Sequence, residues 1–244
     1  MTKAIDSLEQ FCPICGGERI IRVVLNRPYR SFFGHEKCVE IMKIQEENER
    51  ARKREIEYKK EREQDLWSCF AGASIDADRR SWGQWVENDE NRAVTEYLTQ
   101  WRYPNKGLML SGGTGIGKTH LLAAIAIKTF WEQGQRFKFI RIAEWADEIR
   151  SCSFERAQEM VLELKRADIV FFDDLGSGTI TDHIETKLCI ILDHRLEFNY
   201  PTFFSTNLTS AEAAKMFSAR IMSRISGLCE WINLASFKHD WRNK

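Results

Sequence analysis

The chain has no net charge: Lys and Arg together number 36, as do Asp and Glu, in 244 residues. No global basic field draws it onto nucleic acid, so any DNA contact must come from a local patch. It also has no apolar run of membrane-spanning length. The start lacks the charged-then-apolar pattern of a secretory leader, since Asp6 and Glu9 stand where an apolar core belongs. An intracellular, cytoplasmic protein is the expectation. Its seven cysteines then read as thiols or metal ligands more than as disulfides. From Cys38 to about Leu66 there is neither Gly nor Pro.

What is present begins with Gly112-Gly113-Thr114-Gly115-Ile116-Gly117-Lys118-Thr119, which matches the P-loop pattern G-x-x-x-x-G-K-[ST]. Leu108-Met109-Leu110 before it reads as the end of a buried strand, and Leu121 to Ala126 after it as a helix. Glycines let backbone N–H groups approach phosphates without a Cβ in the way. The helix N-terminus adds its positive dipole end. Lys118 can reach the β- and γ-phosphates of ATP, and the Thr119 hydroxyl can hold Mg2+. A glycine-rich turn that merely fits the pattern is the bland alternative, and the strand and helix around it weigh against that.

Ile169-Val170-Phe171-Phe172-Asp173-Asp174 reads as a buried strand ending in two carboxylates, a Walker B pattern. Asp173 is the candidate Mg2+ ligand. Asp174 stands where a general base or water-orienting residue belongs. Phe137 to Ile142 reads as a second strand, Ala143 to Arg150, Glu155 to Arg166 and Thr181 to Phe198 as helices, and Glu230 to Leu234 as a final strand. Pro201 to Asn207 reads as a strand ending in an amide at the sheet's carboxyl edge, where open α/β sheets bind ligands. Asn207 is a candidate for the attacking water or the γ-phosphate; alternatively it caps the next helix, a task that Thr209 could serve equally well. Ala219 to Ile225 reads as a helix with Arg220 and Arg224 four apart. They are either surface charges or an arginine finger. Arg136, Lys138 and Arg141 lie near a predicted strand and fit DNA contact or a solvated edge.

Nearer the start, Cys12-Pro13-Ile14-Cys15 and His35-Glu36-Lys37-Cys38 flank a predicted hairpin made of strand Ile20 to Leu25 and turn Asn26 to Pro28. Two ligand pairs at this spacing suit a tetrahedral Zn2+ site that would supply the folding energy of so short a segment. A redox C-x-x-C and reduced cysteines in a loosely ordered arm are the rival readings. Cys69, Cys152, Cys189 and Cys229 read as small buried residues. The following run alternates in charge sign and predicts a long solvated helix with i,i+4 ion pairs. Ile41, Ile44, Ile56 and Tyr58 form only a broken stripe, which does not support a coiled coil. Trp67, Phe70, Trp82 and Trp85 lead into a predicted helix from Asn88 to Arg102, with Ala93, Val94, Tyr97, Leu98 and Trp101 on the face that packs on the sheet. Base stacking by these aromatics is the alternative, but basic residues are sparse among them.

The Gly112–Ala126, Asp168–Leu175 and Pro201–Leu208 segments, with Arg220 and Arg224, resemble the DnaC/IstB-like group of AAA+ ATPases, and within it the helicase loaders DnaC and DnaI. The resemblance covers residues 67–244. It implies an α/β, AAA+ P-loop core with a parallel sheet and, as in DnaI-type loaders, a small zinc-binding module before it (1–40); the charged run between them is the helical connector (41–66). It implies ATP with Mg2+ at Lys118, Thr119 and Asp173, Asn207 as sensor 1, and Arg220 as the finger on a neighbouring subunit's ATP, with Arg224 in reserve. The implied partners are the hexameric replicative helicase, single-stranded DNA and further copies of the chain, with no membrane. The stretch after Arg224 is short for a helical lid, with Arg242 the candidate for a lid arginine. Walker B ends Asp-Asp instead of the commoner Asp-Glu, which suits slow, partner- or DNA-stimulated hydrolysis. A transposition helper acting on duplex DNA, and a nucleotide-gated adaptor with little turnover, are the alternatives.

Overall fold

The computed structural model describes residues 23–24, 27–28, 36–71, 73, 75, 80–178, 180–235 and 237. Cys12, Cys15, His35 and Arg242 lie outside the described residues, and Cys38 is described only as helical backbone. The chain divides into two units, Met1–Glu63 and Gln64–Lys244.

In the first unit, β1 (Val23–Val24) pairs antiparallel with β2 (Arg27–Pro28), so Arg27 and Pro28 belong to a strand instead of the turn expected there. Helix α1 spans Glu36–Cys69, so its last residues belong to the second unit. Glu46 pairs with Arg50 and Glu55 with Lys59, each acid four residues before its base. That order agrees with the helix dipole, and at such exposure each pair contributes little.

The second unit holds a five-stranded, wholly parallel sheet. Its strands are β3 (Gly107–Ser111), β4 (Phe137–Arg141), β5 (Ile169–Leu175), β6 (Thr202–Thr206) and β7 (Cys229–Asn233), in the spatial order β4-β5-β6-β3-β7. The helices are α2 (Arg92–Gln100), α3 (Lys118–Gln133), α4 (Ile142–Ser151), α5 (Phe154–Arg166), α6 (Asp182–Glu197), α7 (Ser210–Met216) and α8 (Ala219–Leu228).

Both faces of the sheet are covered, which is why its strands read as near-continuous apolar runs. Alternate residues divide between two cores. Val170, Phe172 and Phe204 pack with α4, α5, α6 and α8. Ile169, Phe171 and Phe203 pack with α3, Leu98 and Trp101 of the α2 region, and Leu66 and Phe70. On the second face Phe139, Phe171 and Phe203 form a stacked row, with centroids 5.7 and 4.6 Å apart. Each buried ring contributes about 2–3 kcal/mol. Gly107 lets β3 approach β6, since a Cβ there would lie 1.8 Å from the Thr202 carbonyl oxygen.

Three local expectations need correction. Helix α2 begins at Arg92, because Asn88 Oδ1 accepts from the N–H groups of Glu90 and Asn91 while Asn91 Nδ2 donates to the Val86 carbonyl. These side-chain bonds hold a turn that competes with helix. Tyr97 faces outward and donates to Glu230 at 2.6 Å; Thr95, which accepts from Trp85 Nε1, takes the inner place. Trp67 is likewise exposed, and Leu66 and Phe70 bury instead.

Candidate nucleotide site

The P-loop joins β3 to α3. Gly117 caps α3 with φ 94°, and Gly115 has φ 83°, left-handed values that favour glycine. They turn the loop around the first helical turn, where Lys118 and Thr119 stand. At Gly113 a Cβ would meet nothing within 4 Å, so the loop faces open space there. Ile116 is different from its neighbours: its side chain enters the core beside Leu121 and Leu234.

Strand β6 lies between the P-loop strand β3 and the carboxylate strand β5. This order brings its carboxyl end between Lys118 and the two aspartates. Lys118 Nζ donates to the carbonyls of Gly112 (2.8 Å) and Gly113 (2.6 Å) and to Asn207 Oδ1 (2.7 Å). Asn207 Nδ2 donates to Asp174 Oδ1 at 3.0 Å. The amide orientation follows from its partners, since an ammonium only donates and a carboxylate only accepts. Asn207 is therefore not a helix cap. Thr209 caps α7 in a reciprocal box with Glu212.

Asp173 is buried at the end of β5. Thr119 Oγ1 donates to its carboxylate at 2.9 Å, and Ser205 Oγ donates to Oδ1 at 2.5 Å. Burial pushes the Asp173 pKa up; the Ser205 and Thr119 hydroxyls and the Arg141 guanidinium pull it back, and Asp174 pushes it up again. Ser205 also accepts from the Asp174 N–H at 2.8 Å. The β5–β6 register shifts between Phe172 and Leu175, and Asp174 takes φ 59°. A bulge of this kind re-aims a side chain, here toward the cavity. Aspartate tolerates this backbone better than most residues.

The site surrounds a cavity of about 630 Å³ lined by Thr114, Lys118, Thr119, Asp173, Asp174 and Asn207, among others. Two further lining residues, Ser205 and Arg141, correct the sequence reading. Ser205 stands two residues before Asn207, hence on the same side of β6, and that spacing was the available signal. Arg141 pairs in register with Asp173. Its Nε lies 3.9 Å from Asp173 Oδ2, and its Nη1 donates to Glu144 at 3.1 Å. It lines this cavity from the edge strand β4. Arg220 and Arg224 stand on α8, outside the cavity lining, and both contact Asp193 of α6.

The donors fit a triphosphate with Mg2+. The loop N–H groups and the α3 N-terminus suit anionic oxygens. One hydroxyl and one carboxylate, Thr119 and Asp173, suit a cation that keeps waters and phosphate oxygens in its shell. Among the described residues no group of three or more His, Cys, Asp or Glu could hold a metal alone.

A parallel sheet with a P-loop on an inner strand, a second strand ending in acid, and a polar strand between them defines a P-loop nucleotide-binding domain of AAA+ type. The chain belongs to the IstB-like ATP binding protein family, whose family model matches residues 34–228. It is 29% identical over 157 residues to the replicative helicase loader DnaI of Bacillus subtilis (strain 168), covering 58% of this chain and 50% of that protein. The chain thus spans about half the length of that relative. A crystal structure of DnaI matches with a TM-score of 0.57 and 26% identity, over 66% of this chain and 94% of that one. A crystal structure of the DnaC helicase loader matches in fold, with a TM-score of 0.50 and 20% identity, over 69% of this chain and 97% of that one. The expected kinship with the DnaC/IstB-like group is met. No described helix is long and apolar enough to cross a membrane.

Proposed function

We propose that this chain is a cytoplasmic, ATP-gated replication protein that loads a replicative helicase onto single-stranded DNA. The observation that carries the gating is the line of hydrogen bonds from Lys118 through Asn207 to Asp174. A γ-phosphate entering there competes for Lys118 and, through Asn207, is felt at the proposed base. The likeness to DnaI, a replicative helicase loader by name, supports the choice of partner.

In this reading residues 112–119 cradle the triphosphate. Lys118 exchanges the Gly112 and Gly113 carbonyls for phosphate oxygens. Thr119 and Asp173 hold Mg2+, which neutralises charge on the phosphates when bound. Asp174 orients a water and takes its proton as the water attacks the γ-phosphorus; the bond to the bridging oxygen breaks, leaving ADP and phosphate. Arg220 of a neighbouring copy stabilises the charge of that transition state. It is the better finger because Arg224 is largely sunk, with its side chain 20% exposed against 62% for Arg220. The remaining proposals come from the sequence: a Zn2+ module at residues 1–40 on Cys12, Cys15, His35 and Cys38, a spacer at 41–66, and the ATPase at 67–244.

The test is a loading assay with the host's replicative helicase, circular single-stranded DNA and the full chain. ATP-dependent loading that Lys118→Ala abolishes is the expected result. Normal loading by Lys118→Ala overturns the proposal. The family match also favours a second reading, an IstB-like transposition helper, and hydrolysis stimulated only by duplex DNA selects it. The hydrogen bond that already occupies Asp174 favours a third, an adaptor with little turnover; tight ATP binding without DNA-stimulated hydrolysis selects that one.

A further inference from the structure

Helix α8 buries Ile221, Ile225 and Leu228, a stripe at i, i+4 and i+7. That stripe packs in the same core as Ile184, Leu188 and Leu192 of α6. Gly227 lets the two helices come close: a Cβ there would lie 2.7 Å from Leu196 Cδ1. Arg220 and Arg224 each stand one residue before a stripe position, so both flank the α6 contact on the same side. One carboxylate, Asp193, meets them both.

The two arginines are held unequally. Arg224 Nε donates to Asp193 Oδ1, and Arg224 Nη1 donates to the backbone carbonyl of Arg220 at 2.7 Å. Arg220 touches the other Asp193 oxygen through one N–H at 3.4 Å, with most of its side chain in solvent. So Asp193 reaches Arg220 by two routes. It contacts the guanidinium directly, and it anchors Arg224, which grips the backbone beneath Arg220. An exposed pair such as Arg220–Asp193 contributes little to stability. What it does is narrow the positions open to a long side chain. Neither arginine lines the cavity of its own chain, so any phosphate that Arg220 serves belongs to another molecule.

We infer that Asp193 is a positioning residue that holds Arg220 ready for the triphosphate bound by a second copy of this chain. The inference rests on the ATPase reading given above and assigns Asp193 a part in it. It commits to an asymmetry: Asp193 serves the neighbour's site and not its own.

Mixing full-length variants tests this. Arg220→Ala keeps its nucleotide cavity and lacks the reaching arginine. Lys118→Ala lacks the cavity lysine and keeps Arg220. Each alone is expected to lose turnover, and a mixture is expected to regain it. Adding Asp193→Asn to the Lys118→Ala partner should lower the regained kcat about tenfold, because a displaced charge stabilises the transition state less. KM for ATP and the melting temperature should stay unchanged. Asp193→Glu in that partner should restore most of the lost rate. Asp193→Asn in the Arg220→Ala partner should do nothing. Equal effects in either partner, or none in the Lys118→Ala partner, overturn the inference. So does a mixture that regains nothing while the unaltered protein hydrolyses ATP, and in that case the ATPase reading survives. An unaltered protein that binds helicase, DNA and ATP yet never hydrolyses removes both.

Discussion

Among the described residues two cations are buried, at opposite ends of the same sheet, and they are held for different ends. Arg195 of α6 has no exposed surface. It donates to Thr202 Oγ1 and to the carbonyls of Leu164, Ala167 and Pro201 at 2.7–2.8 Å, and to that of Asp168 at 3.4 Å. Those acceptors tie the end of α5 to the starts of β5 and β6. Burial pushes its pKa down to about 9, so the guanidinium remains charged at neutral pH. Lys118 is almost as deeply buried and also contacts two backbone carbonyls. Yet it borders the 630 Å³ cavity, and its third acceptor is a side-chain amide bonded to a carboxylate. A rigid planar fork enclosed by backbone oxygens is a fastening. A flexible ammonium beside an open polar space can change partners. Burial alone does not separate structure from function here; the neighbouring space does.

The contrast can be broken most sharply at Arg195. Arg195→Met removes the donors that Thr202 Oγ1 and the Leu164, Ala167 and Pro201 carbonyls share and should cost at least about 3 kcal/mol of stability in urea unfolding. A loss below about 1 kcal/mol would mean the fastening is idle. Lys118→Ala should do the opposite. It should weaken ATP binding about a hundredfold by calorimetry, through loss of charge-assisted bonds, while unfolding shifts by less than about 1 kcal/mol. Unfolding as severe as that of Arg195→Met would erase the distinction.

Asp174→Asn sharpens the picture within the site. ATP affinity should hold while single-turnover hydrolysis falls about a hundredfold. Asn207→Ala should lower hydrolysis less, about tenfold, by removing one bridging contact. Equal loss of affinity and rate in both would place these residues in binding instead of chemistry. The smallest effect concerns the core end of β7. Burial pushes the Cys229 thiol up to about 12, and it donates to the Ile225 carbonyl. At pH 8 in native protein Cys229 should resist alkylation that reaches the half-buried Cys152. Rapid labelling of Cys229 would show that this end of the sheet opens.

Much of the second unit was legible from local pattern. The five strands of the sheet all fall within a few residues of the apolar runs that announced them, since each run is too short for a buried helix. The P-loop was legible because its backbone demands glycine at fixed places. One helix start was less so. The run from Asn88 carries helical periodicity, yet two asparagines capture the backbone first.

The residue types and their order determined that this chain has a phosphate-cradling loop, a strand ending in two carboxylates, and further short apolar strands alternating with helices. They did not determine which strand lies beside which. Periodicity records the face a side chain takes, and lateral order is set by crossovers that leave no periodic mark. Only the tertiary structure put β6 between β3 and β5. That placement joined Lys118 to Asn207 and Asn207 to Asp174, across 89 and 33 positions of sequence. It also gave Asp173 its Ser205 partner, brought Arg141 to the cavity, buried Arg195 at the far end, and set one aspartate of α6 against two arginines of α8. Hydrogen bonds act over about 3 Å, so such pairs exist only once packing has brought distant segments together.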